Sequence, residues 1–152
     1  GMIEEVVKEE CIHTLGFEAH YMYRKQLWKF AEQFDGVEVK FRCGVESFDG
    51  QLREQWKKGV TANVTVADVA KHFQGVCLLC CTQGDSKERI LRDITLAEQY
   101  FEYASVNVFC ENSTSVKRDD ALAKWFVEEV YPTLKQSKKI EILINNTDLG
   151  VG

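Results

Sequence analysis

Proline is almost absent, with Pro132 the single example in 152 residues. No Pro-rich or Gly/Ser-rich stretch replaces it as a linker, so the sequence predicts one domain over residues 1–152. Long apolar runs are missing too. The longest, Val76 to Cys81, has six residues, against the roughly 18 or more that would cross a bilayer, and no membrane partner is expected. Basic residues are not in excess: 19 Lys and Arg face 24 Asp and Glu for a net charge of −5. Nucleic acid is therefore not an expected partner. The opening Gly1-Met2-Ile3-Glu4-Glu5 lacks the basic and apolar regions of a secretory leader. Six cysteines are too few for a disulfide scaffold, and most sit in strand-like runs where thiols behave as small hydrophobes. The expected compartment is a reducing cytoplasm.

Several catalytic spacings are also lacking. No G-x-G-x-x-G, Walker loop, G-x-S-x-G or H-E-x-x-H occurs, which removes the mechanisms those spacings serve. Cys77 and Cys80 have C-x-x-C spacing but lie in a strand-like run, where residues three apart point to opposite faces. Cys43, Cys81 and Cys110 each end a strand-like run, and core packing is the better reading of them than a metal site.

What is present is alternation. Leu15-Phe17-Ala19, Val37-Val39-Phe41-Cys43, Val106-Val108-Cys110 and Ile140-Ile142-Ile144 repeat with period two, and Val76–Cys81 adds a fifth strand. Helical patterns separate them, at 3–10, 21–34, 51–58 with 66–73, 86–103 and 118–134. Strand and helix in alternation imply parallel strands joined by crossovers. The other face of the strands is mostly polar: Glu18 and His20, Lys40 and Arg42, Asn107 and Glu111, Glu141 and Asn145, with Gly16, Gly44, Phe109 and Leu143 among them. A sheet covered by helices on both faces needs strands apolar throughout, so the pattern disfavours a doubly wound fold. The predicted class is α/β, a partial (β/α) barrel of about five parallel strands in sequential order with helices on one face.

Ligands of such folds bind at the carboxyl ends of the strands, and those ends are rich in hydrogen-bonding groups here. Gly44-Val45-Glu46-Ser47-Phe48-Asp49-Gly50-Gln51-Leu52-Arg53, followed by Lys57-Lys58-Gly59, resembles the segment after the fourth strand of radical S-adenosylmethionine enzymes. Ala19-His20-Tyr21-Met22-Tyr23-Arg24, Glu111-Asn112-Ser113-Thr114 and Asn145-Asn146-Thr147-Asp148-Leu149-Gly150 are similar to the carboxyl-terminal half of a bacterial branch of that family. The resemblance implies the carboxyl-terminal part of a (β/α)6 barrel that binds S-adenosylmethionine and a polar small-molecule substrate. Glu46 and Ser47 would hold the ribose or methionine part, and Arg53 would pair with a carboxylate. His20, Lys40, Arg42, Asn107, Asn112 and Asn145 would line the cavity, the cationic pair suiting an anionic group. Lys40 and Arg42 read equally well as partners of Glu18, Glu38 and Glu141.

The family's C-x-x-x-C-x-x-C motif and early Gly-Gly-Glu element are absent, and Cys77, Cys80 and Cys81 do not replace them. The expectation is a chain without metal and inactive alone, the 4Fe–4S cluster belonging to a full-length parent, and no residue is assigned as catalytic. A second copy of the chain or the missing amino-terminal half would cover the open sheet face. The alternative is a non-enzymatic module that binds a small ligand or a protein.

Overall fold

The computed structural model describes residues 1–111 and 115–144. Strands β1 (Thr14–Ala19), β2 (Glu38–Glu46), β3 (Gly75–Cys80), β4 (Tyr103–Val108) and β5 (Ile140–Leu143) form one sheet. All four pairings are parallel and the order is β1-β2-β3-β4-β5. This is the partial-barrel arrangement that the alternation predicts. Alternate side chains of β2 to β5 point to one side, among them Phe41, Cys43, Val45, Val76, Leu78, Cys80, Val106, Val108 and Ile140, and meet the apolar faces of the helices.

The described helices are α1 (Met2–Glu9), α2 (Leu27–Ala31), α3 (Gly50–Gln55), α4 (Val66–Ala70), α5 (Lys87–Tyr100), α6 (Asp120–Trp125) and α7 (Tyr131–Leu134), of which α2 and α4 to α7 place side chains in or against this core. A π-helical turn at Phe126–Val130 joins α6 to α7. Ile90, Ile94 and Ala97 recur on one face of α5, and Val69, Phe73, Leu122 and Phe126 complete the layer. Each large aliphatic or aromatic side chain so buried contributes about 1.5–3 kcal/mol. Among the described residues no helix is long and apolar enough to cross a membrane.

Local chemistry sets the boundaries. Asp49, Thr65, Ser86 and Asp119 cap α3, α4, α5 and α6, each side chain accepting from a main-chain N–H three residues on. The stretch 21–34, expected to be one helix, is a 3-10 turn at Tyr21–Tyr23 followed by the short α2. Its apolar residues are divided: Leu27 and Phe34 are buried, whereas Met22, Tyr23 and Trp28 are exposed. So narrow a buried face does not sustain a long helix. The α5 helix stops at Tyr100 because Phe101 turns extended and buries its ring, and β4 begins at Tyr103, earlier than the alternation suggested.

The ring of Tyr103 lies across Gly75, where an added Cβ would collide with it. Gly75→Ala should cost about 1–3 kcal/mol through forced displacement of the ring, and Tyr103→Ala in the same chain should restore part of that loss. Denaturant titration of wild type, Gly75→Ala and the double variant measures both effects.

Candidate functional site

The open face has two zones. Toward the amino ends of the strands its polar groups satisfy one another. Lys40 Nζ lies 2.9 Å from Glu102 and 3.8 Å from Glu38. Arg42 Nη2 donates to Glu18 Oε2 at 3.1 Å, and Nη1 reaches Ser105 Oγ at 3.5 Å. Ser105 Oγ sits 3.2 Å from Cys77 Sγ, which lies 3.7 Å from Glu18 Oε2. Lys40 and Arg42 thus balance Glu18, Glu38 and Glu102, with Glu102 in place of the anticipated Glu141. Burial pushes the Cys77 thiol up to about 11 and Cys43, on the helix side, up to about 12. Both stay protonated and unreactive near neutrality.

Toward the carboxyl ends the backbone becomes irregular. Glu46 adopts φ 67°, and the Ser47 N–H donates to Val45 O at 2.8 Å. That combination is a γ-turn with a positive central φ, a rare and strained form, and it coincides with a register shift in which Glu46 instead of Val45 follows Gly44 in the ladder. The shift aims the Glu46 side chain at Lys58, whose Nζ lies 3.5 Å from Oε1. Burial raises the Glu46 carboxyl above its ordinary range while Lys58 pulls the other way. Lys57 and Gly59 are also left-handed. The loop they shape brings Lys58 O within 2.7 Å of His20 Nε2. His20 Nδ1 accepts the Met22 N–H at 3.1 Å, so Nε2 carries the proton and donates to Lys58 O. A pocket of about 460 Å³ opens among Glu18, His20, Gly44, Glu46, Lys57 and Lys58. Gly44 is its floor: a Cβ there would meet Glu18 Oε1 at 3.4 Å and Glu46 Oε1 at 3.7 Å.

Behind this rim lies a buried polar network. Ser47 Oγ donates to Asp93 Oδ2 at 2.6 Å, and Arg89 Nη1 donates to the same oxygen at 2.8 Å. Arg89 Nε donates to Asp85 Oδ1 at 2.7 Å, Nη2 pairs with Asp85 Oδ2, and both Nη atoms reach Leu79 O. Arg53 is 1% exposed and donates to the carbonyls of Ser47, Thr61 and Val64. The side chains of Ser47 and Arg53 are thus engaged behind the rim, whereas His20 and Glu46 border the pocket. Arg89 and Asp93 escaped the sequence reading, although their spacing of four on α5 was the available signal; Asp85 precedes that helix, just before its cap Ser86, and reaches Arg89 from there.

Across the sheet, Asn107 faces the open side and is 6% exposed, and among the described residues its Oδ1 has no hydrogen-bond partner. Asn112 and Asn145 lie outside the described residues. The thiols do not fit an iron–sulfur cluster: Cys43 and Cys80 are buried in the helix-side core, while Cys77 faces the opposite side. Among the described residues no three His, Cys, Asp or Glu side chains group as metal ligands.

No family model and no curated protein matches the sequence. A solved structure does: a queuine lyase from Clostridium spiroforme bound to SAM and queuine, at 34% identity and a TM-score of 0.85. The match covers 99% of this chain and 65% of that one, so the chain spans about two-thirds of that protein's length. The likeness extends beyond the sheet to nearly every described element, and it supports the radical S-adenosylmethionine-like relationship that the Gly44–Arg53 segment suggests.

Two outcomes follow from the site's electrostatics. Arg89→Met strands Asp85 and Asp93 side by side in a buried position and should cost roughly 3–5 kcal/mol of stability by denaturant titration. Glu46→Gln tests the raised carboxyl. A folded-state value above the unfolded 4.5 means that the native state holds the proton more tightly, so ionisation costs wild-type stability as pH rises past 4.5. The melting temperature of Glu46→Gln relative to wild type should therefore climb between pH 4 and pH 7, and a flat difference would show that Lys58 fully compensates the burial.

Proposed function

We propose that this chain is the S-adenosylmethionine- and substrate-binding part of a radical S-adenosylmethionine-like enzyme, acting on a polar heterocyclic small molecule of the queuine type. The observation that carries the reading is the 34% identity, over nearly the whole chain, to a queuine lyase bound to SAM and queuine. The carboxyl-end zone suits two such ligands. Its residues are polar, held by rigid strands and incompletely satisfied, whereas the amino-end zone is closed by its own ion pairs.

S-adenosylmethionine supplies, in enzymes of this kind, a sulfonium whose reductive cleavage begins radical chemistry. Glu46, with one oxygen on Lys58 and the pocket before it, is placed to accept hydrogen bonds from a ribose or an ammonium group. His20 holds its ring by two hydrogen bonds and walls the same pocket. Ser47 and Arg53 act behind it, fixing the turn that aims Glu46. The C-x-x-x-C-x-x-C spacing does not occur in the sequence and Cys77 faces away from Cys43 and Cys80, so the reading assigns no cluster ligand to these cysteines. Lys40 and Arg42 belong to the paired zone, which leaves a neutral or cationic heterocycle better matched to the site than an anion.

Isothermal titration of the purified chain with S-adenosylmethionine and with queuine tests the proposal. Saturable binding of at least one, weakened by Glu46→Ala, is the expected result. Binding of neither overturns the reading and favours a non-enzymatic module.

A further inference from the structure

The orphaned oxygen of Asn107 has neighbours that say what it is for. Ser105, two residues earlier on β4, touches Cys77 and Arg42 on the open face, so alternation puts Asn107 on that face too. In register beside it stand Leu79 of β3 and Leu143 of β5. Both leucines are half-buried and neither belongs to the helix-side cluster, in contrast to Leu78 and Ile142 next to them. Phe109 follows Asn107 by two residues, and it too is buried without joining that cluster. Across β3 to β5 the face that is polar at Cys77 and Ser105 therefore turns apolar at its carboxyl end, around a single asparagine, beside the polar pocket of β1 and β2.

A buried carbonyl oxygen without a donor costs stability, typically by as much as a net hydrogen bond or more. A leucine would fill such a row with no such penalty. We infer that Asn107 reads the hydrogen-bonding edge of a flat, nitrogen-rich ring of the purine type, which lies against Leu79, Leu143 and Phe109. The combination is suited to that class: apolar walls accept the ring faces, and the amide oxygen takes one N–H of an exocyclic amine or ring nitrogen. Asparagine is the side chain whose donor and acceptor match an aminopurine edge. The inference deepens the proposed function and rests on it. Both S-adenosylmethionine, through adenine, and queuine, through its deazaguanine ring, carry the required edge, and experiment decides which ring it is.

The test uses the full chain, with Asn107→Leu and Asn107→Ala read against wild type and Ser105→Ala as a control in the paired zone. Asn107→Leu should raise the melting temperature by about 2–4 °C as the orphaned oxygen is removed. In titration calorimetry it should weaken one of the two ligands, S-adenosylmethionine or queuine, by about tenfold or more and leave the other within about twofold. Asn107→Ala fits any space that asparagine fills, and it should show the same selective loss whatever its stability. Selective loss of S-adenosylmethionine identifies the ring as adenine, and selective loss of queuine identifies it as the deazaguanine. Ser105→Ala should bind both ligands as wild type does. Unchanged affinity in both Asn107 variants overturns the inference while leaving the proposed function standing. Equal loss of both ligands in the two variants marks a structural role and overturns it as well. A wild-type chain that binds neither ligand overturns inference and function together.

Discussion

Arg89 is the charge on which the carboxyl edge of the sheet depends. Its guanidinium is almost fully buried, and five donors are distributed over Asp85, Asp93 and the carbonyl of Leu79. Two buried carboxylates around one cation would be unfavourable if any member were missing, because the cost of taking charges from water is recovered only when every hydrogen bond is made. Here the bonds are made to three different pieces of chain. Asp93 passes the constraint through Ser47 to the loop after β2, Asp85 fixes the main chain at Cys81 and Ser86, and Leu79 O ties in β3 itself. The loop after β2 gains a second anchor in Arg53, whose three carbonyl partners include Ser47 O.

That rigidity lets the backbone hold unfavourable conformations at the strand ends. Glu46 and Cys81 close β2 and β3 with positive φ, and Lys57 has the same handedness in the loop that faces them. Non-glycine residues in that region carry strain that surrounding structure must over-determine. Glu46 gains from it a direction. Parity alone puts Val45 in the core beside Cys43 and Glu46 on the open face with Gly44, and the turn at Glu46 directs its carboxylate toward Lys58.

The one-sided sheet was legible because period-two alternation is written in residue type alone: Val39, Phe41 and Cys43 against Lys40, Arg42 and Gly44 leave little choice of face. Asp49 and Ser86 are of the residue types that cap helices, and each caps the helix that follows it, α3 and α5. Burial of Arg53 and Arg89 was not. Long cationic side chains are exposed by default, and what inverts that rule here includes main-chain carbonyls, Leu79 O for Arg89 and Ser47 O, Thr61 O and Val64 O for Arg53, which no residue type announces. The partners of Lys40 were partly missed because Glu102 sits in a stretch whose periodicity read as helix, although the chain there is already turning into β4. Asn107 could be placed on the open face by parity, but its lack of a partner is a property of packing that no spacing encodes.

The distribution of satisfied and unsatisfied groups then separates architecture from site. At the amino end, acids and bases neutralise one another at 2.9 to 3.1 Å, and a ligand would have to break those pairs to bind. At the carboxyl end, Glu46 is held apart from bulk water, Gly44 leaves the space before it open, and Asn107 keeps an acceptor unused among apolar walls. A fold selected for stability alone would fill the notch at Gly44 and replace Asn107 by leucine. Both departures lie where the strands of a parallel sheet deliver their ligands, on either side of β3, and the buried network around Arg89 supplies the rigidity that keeps them in place.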